Sequence, residues 1–216
     1  MPANGSPEKN SEMKSSRLEA FSDGVIAVII TIMVLELHVP REDGLAGFWS
    51  ILPRLGVYLL SFLMVGIYWI NHHELVRKVE TISFGILWSN LIFLFSLSLL
   101  PYFVDYLDEK HFSSFSTILY EGTMMLSGGT FFLLRWSVMQ KQKKTGSLRH
   151  ADESELSKHI ASMCLYVISL AVALYRPWIS LAINGIVTAI WVVPQIGAKS
   201  WDDEVAGGPR GDSVRR

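Results

Sequence analysis

Apolar residues in this chain gather into long runs, and polar residues collect between the runs and at the two ends. Six runs stand out, near residues 20–39, 51–71, 83–104, 116–137, 160–176 and 178–197. A helix of roughly 20 mainly apolar residues crosses a hydrocarbon core of about 30 Å, so the pattern predicts six transmembrane spans. Glu121 interrupts the fourth run, and the fifth is barely long enough to cross untilted. Strands of a membrane barrel would alternate polar and apolar residues; these runs do not, so helices are expected. Residues 1–16, MPANGSPEKNSEMKSS, and the tail 200–216 have little to bury and are expected to be mobile. That leaves residues 17–199 as one six-helix domain. The first run is not read as a cleaved signal peptide, because polar residues precede it and Val34-Leu35-Glu36-Leu37 offers no small-residue cleavage site.

Composition agrees with an all-α membrane protein. Half of the 216 residues are apolar and 18% are charged, below the quarter or so usual in soluble domains. The single cysteine, Cys164, excludes an intramolecular disulfide, and its apolar surroundings predict a small buried side chain.

Charge orients the spans. If the N-terminus is inside, 15 of the 19 lysines and arginines fall on the inner side, and only Arg41, Arg54, Lys110 and Arg176 fall outside. The positive-inside rule then predicts both termini in the cytoplasm of a multi-pass cell-membrane protein. The long inner connection 138–158 is basic, which suits lipid headgroups at the bilayer surface; no nucleic-acid partner is expected.

Enzyme signatures are absent: there is no GxxxxGK[ST], HExxH or GxSxG, and no cysteine pair. His72, His73 and Glu74 are adjacent, and successive helical residues point about 100° apart, which suits a shared metal poorly. No catalytic residue, metal or cofactor is expected. No span carries an arginine ladder and no TVGYG occurs, which excludes voltage-gated potassium channels of that type.

Polar residues inside spans are costly and mark candidate sites. Trp69, Asn71 and His72 lie near the inner end of the second span, with Trp88 and Asn90 near that of the third. Both ends sit at the depth where Arg17, Ser22 and Asp23 enter the first span, so a hydrogen-bonded cluster from three helices is expected. An aromatic belt of tryptophans, with the histidines facing water, is the other reading of these residues. Arg17 and Asp23 are six apart and cannot pair along one helix, and Glu19 and Asp23 repel, so partners are sought on other helices. An N-cap at Ser22 or Asp23 is the local alternative.

Arg17-Leu-Glu-Ala-Phe21-Ser22-Asp23 before an apolar helix resembles the R-x-x-x-F-S-D signature of the transmembrane protein 175 family, the lysosomal potassium channel and its prokaryotic relatives. Trp69-x-x-His72-x-x-Leu75, Asn90-Leu91 and Leu100-Pro101-Tyr102 follow in the family's order, so the likeness covers residues 17–102 and is loose beyond. The resemblance implies a homotetramer in which the first helix of each six-helix subunit lines a central path for potassium and other monovalent cations. It implies that Arg17, Phe21, Ser22, Asp23, Trp69, His72 and Asn90 hold that helix from behind. Counting from the motif aspartate, it puts Val28, Thr31, Ile32 and Leu35 on the pore, with Glu36 at the outer mouth. The function implied is a potassium-permeable leak channel with an apolar constriction. A secondary transporter or small membrane-bound enzyme built around the polar cluster of helices 1–3 is the alternative, although Pro101, Pro177 and Pro194 stand at or near span ends and no inverted repeat is visible.

Overall fold

A computed structural model describes residues 13–40, 42–79, 81–145 and 152–196. Among them are helices α1 (Ser15–Leu35), α2 (Gly44–Val76), α3 (Phe84–Ser98), α4 (Leu100–Glu109), α5 (Ser114–Thr145), α6 (Asp152–Ala173) and α7 (Pro177–Ile196). Two short strands, β1 (Met13–Lys14) and β2 (Thr81–Ile82), pair antiparallel, Met13 opposite Ile82. The architecture is helical and fits six spans, with the third made of α3 and α4 in succession. Among the described residues, four segments are long and apolar enough to cross a membrane by length and composition: Ser15–Leu35, Gly44–Val76, Phe84–Glu109 and Leu156–Ala173.

Several boundaries differ from those expected. Helix α1 starts at Ser15 and ends at Leu35, where a run of 20–39 was expected. Its start follows the β1–β2 pair directly; residues 1–12 and the tail 200–216 lie outside the described residues. The third run breaks at Leu99, because Pro101 opens α4 and has no N–H to continue the α3 ladder. Helix α5 runs on to Thr145 and α6 starts at Asp152, which shortens the expected 138–158 connection to residues 146–151, also outside the described ones. Side-chain caps set two starts: Asp43 accepts from Gly44 N at 3.1 Å, and Ser83 accepts from Ile86 N at 3.5 Å. Cys164, expected to be buried, is exposed on the outside of α6.

Helix α5 falls short of a membrane span by composition because its polar residues point inward. Ser116, Thr117, Glu121, Thr123, Ser127 and Thr130 are buried, while Phe115, Leu126, Leu133 and Trp136 are exposed. In lipid this inside-out distribution is favourable, since polar side chains find partners only within the protein. Thr130 Oγ1 lies 2.8 Å from Ser96 Oγ, and Ser137 Oγ lies 2.8 Å from Ser89 Oγ, joining α5 to α3. Phe93, Tyr68 and Phe131 meet beside these bonds with ring centroids 5.1–5.5 Å apart, at the centre of a core shared by α2, α3 and α5. Helix α1 packs on α2, α3 and α4; α6 and α7 pack on each other and on α5.

Gly128 and Gly129 are adjacent on α5 but meet different surroundings. A Cβ on Gly128 would run into the Met163 methyl and come within 3.3 Å of Tyr68 Oη, whereas one on Gly129 would meet nothing within 4 Å. Gly128→Leu is therefore expected to destabilise the fold by about 1–3 kcal/mol through overpacking. Gly129→Leu should be tolerated. Thermal unfolding of the two purified variants in detergent checks the difference; equal losses would contradict this packing.

Candidate functional site

The polar residues near the N-terminal end of α1 meet across three helices. His72 Nε2 on α2 lies 2.8 Å from Asn90 Oδ1 on α3, and Asn90 Nδ2 donates to Ser22 Oγ on α1 at 3.0 Å. Ser22 Oγ in turn donates to the Leu18 carbonyl at 2.9 Å. Because the Asn90 amide nitrogen faces Ser22, its oxygen faces His72, and His72 Nε2 must be the protonated ring nitrogen of that pair. Ser22, His72 and Asn90 are all fully buried, and the other ring nitrogen, His72 Nδ1, has no hydrogen-bond partner among the described residues. The imidazole also stacks on Phe93, with ring planes 14° apart.

Two further links flank this chain. Trp69 Nε1 donates to Asp23 Oδ1 at 2.8 Å, and the Glu19 carboxylate pairs with His73 Nδ1. The latter pair joins residues that the sequence did not match, since hydropathy carries no signal for a contact between a helix start and a distant helix end. His72 and His73 thus point to different partners. Asn71 turns back to the Ile67 carbonyl of its own helix at 2.8 Å and joins neither link. Trp88 is half exposed, against Phe84, as the belt reading of that residue has it.

Arg17 and Phe21 lie elsewhere. Both are exposed, and Arg17 makes no hydrogen bond or ion pair among the described residues. With about 100° per residue, Arg17, Phe21, Gly24, Val28, Thr31, Ile32 and Leu35 share one side of α1. The opposite side, Leu18, Ser22, Ile26, Ile29 and Met33, is buried. Val28 is 55% exposed, Ile32 40% and Leu35 80%, which leaves a continuous apolar stripe uncovered on a single chain. Thr31 Oγ1 donates to the Val28 carbonyl at 2.8 Å, so the one hydroxyl in the stripe is bonded within the helix. Val34 is also exposed but lies about 100° or more around the helix from Val28 and Leu35.

An open groove of about 690 Å³ runs beside the stripe, between Gly24, Val28 and Ile32 of α1 and Ser98, Pro101 and Tyr102 at the α3–α4 break. Glu36 and Asp105 stand at its far end. There the chain leaving α1 is held from outside: Arg54 donates to the His38 carbonyl at 2.8 Å and pairs with Asp108, and His38 Nδ1 lies 3.6 Å from Asp105. Arg54 was visible in the sequence only as one of four outer cations.

The family model for the endosomal/lysosomal potassium channel TMEM175 matches residues 17–101. A potassium channel of Chryseobacterium sp. (strain P1-3) is 38% identical over 182 residues, which are 84% of this chain and 94% of that protein. A potassium channel of Streptomyces collinus is 34% identical over 131 residues, 57% of this chain and 64% of that protein. In fold, the chain is similar to the crystal structure of a lysosomal potassium-selective channel TMEM175 homolog from Chamaesiphon minutus, with a TM-score of 0.73 at 23% identity, covering 83% of this chain and 97% of that one.

Asn90 bonds to two other helices at once. Asn90→Ala is expected to leave the buried His72 Nε2–H without an acceptor and to cost about 1–3 kcal/mol. Arg17→Ala, at an exposed position, should cost less. Thermal unfolding of both variants in detergent measures the ranking, and the reverse order would contradict the bonding described.

Proposed function

The chain belongs to the TMEM175 channel family, and on that premise we propose that it is a potassium-permeable cation channel of the cell membrane. The observation that carries the proposal is the likeness to the Chryseobacterium potassium channel over nearly that protein's whole length. The family is one of ion channels, so the transporter and membrane-enzyme readings are not carried further.

The proposed assembly is a homotetramer with both termini in the cytoplasm, the domain 17–199 surrounding a central path, and the lipid bilayer around it. Four copies of the exposed α1 stripe face that path, Val28 deepest, then Thr31 and Ile32, then Leu35. The uncovered apolar stripe supports this placement. A ring of Leu35 side chains supplies no ligand to a hydrated cation, so an ion crosses only where the ring is wide and wet, and dehydration sets the barrier. Glu36, beside Asp105 at the outer mouth, raises the local cation concentration, an effect that weakens at high salt. Ser22, Asp23, Trp69, His72 and Asn90 act behind α1 and fix its rotation. The exposure of Arg17 and Phe21 argues that in a single subunit they do not share this role, and their partners are then sought on a neighbouring subunit. No nucleic acid has a part in this reading.

Recording single channels in a planar bilayer, with potassium on one side and sodium on the other, tests the proposal. The reversal potential should show potassium permeation. Leu35→Asn and Val28→Asn should raise the current and shift the reversal potential, since an amide wets the ring and offers an oxygen ligand. Val34→Asn, off the stripe, should do neither. Unchanged permeation in the first two variants, or an equal change in the third, would remove α1 from the ion path.

A further inference from the structure

A second buried polar cluster lies away from α1, where α5, α6 and α7 meet. Glu121 is fully buried, seven residues into α5, about 10 Å along the helix from its first residue. Asn184 of α7 donates to its Oε2 at 3.3 Å. The hydroxyls of Ser169 on α6 and Ser180 on α7, 2.8 Å apart, stand within reach of the same carboxyl group. Ser169 also donates to the Ser180 carbonyl at 3.0 Å.

The donors do not fill the acceptors. Glu121 Oε1 and Asn184 Oδ1 are both buried and have no hydrogen-bond partner. Glu121 forms no ion pair among the described residues. The titratable side chains nearest it are phenols, Tyr120 on its own helix and Tyr166 on α6, with Tyr68 of α2 beside Tyr166. Tyr120 is engaged with Ser61 of α2, its Oη 3.0 Å from Ser61 Oγ. From α7 the facing groups are Ser180 and Asn184, which are uncharged. An ionised carboxylate in this setting would be a buried charge with no counter-ion among the described residues and an unfilled lone pair, which burial penalises heavily.

We propose that Glu121 is a proton-binding site, occupied at neutral pH, which joins α5 to α7 as an uncharged carboxylic acid. One proton on Oε1 removes the buried charge and turns an acceptor without a donor into a donor, which is what the unfilled Asn184 Oδ1 lacks. The site is separate from the ion path proposed for α1, because α1 packs on α2, α3 and α4. It therefore stands whether or not the pore reading does. Its consequence is mechanical: loss of the proton puts a charge at the joint of α5, α6 and α7.

The sign of the pH effect follows from proton counting. The folded protein holds a proton that an exposed carboxyl group in the unfolded chain releases at neutral pH, so raising the pH favours unfolding. One proton of difference changes the folding equilibrium by about tenfold for each pH unit, until the folded protein releases it too. Glutamine has the same shape, no charge and an N–H donor. Wild type and Glu121→Gln are compared by equilibrium unfolding in mixed micelles from mildly acidic to mildly alkaline pH, and by infrared difference spectroscopy of the carboxylic-acid C=O stretch. Glu121→Gln should fold, should lack that band, and should lose the pH slope that separates it from wild type. Failure of Glu121→Gln to fold, or an unchanged band and slope, would overturn the proposal. Replacing sodium by a bulky organic cation at constant ionic strength should leave wild-type stability unchanged; stabilisation by sodium that Glu121→Gln abolishes would make this a metal-ion site and overturn it too.

Discussion

The side chain of Asn90 holds two helices to a third. Its oxygen accepts from His72 of α2 and its nitrogen donates to Ser22 of α1, with all three residues fully buried. Helices in lipid gain little from burying apolar faces on one another, because lipid tails are as apolar as leucine. Directional bonds and close packing must therefore set how α1 is rotated. Because the amide oxygen is already fixed on His72, a turn of α1 about its axis takes Ser22 away from the amide nitrogen and leaves a buried N–H of Asn90 unfilled.

Under the proposed function, the rotation of α1 decides which of its side chains meet the ion. The helix is apolar on all sides, so its own amphipathicity cannot aim it. The buried side is selected by Ser22 at one end and extended by Ile26, Ile29 and Met33, which leaves Val28 and Leu35 opposite. The Trp69–Asp23 bond and the Glu19–His73 pair reinforce the start of the helix, and Arg54 holds the chain just beyond its end. The tethers at both ends are polar and the lining between them is apolar. That division accounts for charge at the threshold of an otherwise hydrophobic segment.

Much of this was legible in the sequence, for identifiable reasons. Apolar runs report membrane spans directly, and polar residues inside them are rare enough that Ser22, Asp23, Trp69, His72 and Asn90 could be grouped by depth before any contact was known. What depth cannot supply is direction. Depth placed Arg17 with the same group, and the family resemblance added Phe21, although both lie on the exposed side of α1, because residues within two turns of Asp23 share its depth roughly and differ in azimuth. The length of α5 was hidden for the opposite reason. Its buried face is polar, so Glu121 looked like an interruption when it points into the bundle, and its last two turns pass beyond the apolar run into a basic stretch that helical geometry accepts as readily. The Glu19–His73 and Arg54–His38 contacts join residues whose separation in sequence follows no helical spacing, so no local pattern could reveal them.

The most direct test of the claim that α1 is aimed by its buried bonds is the accessibility of single thiols to silver ions added to an open channel. Cys164 is exposed and is first replaced by serine. In that background, Leu35→Cys and Val28→Cys should be blocked, while Ile26→Cys, on the buried side, should not. Adding Asn90→Ala should erode that contrast without removing the channel. Block at position 26 equal to that at 28 and 35, or a contrast untouched by Asn90→Ala, would contradict the account.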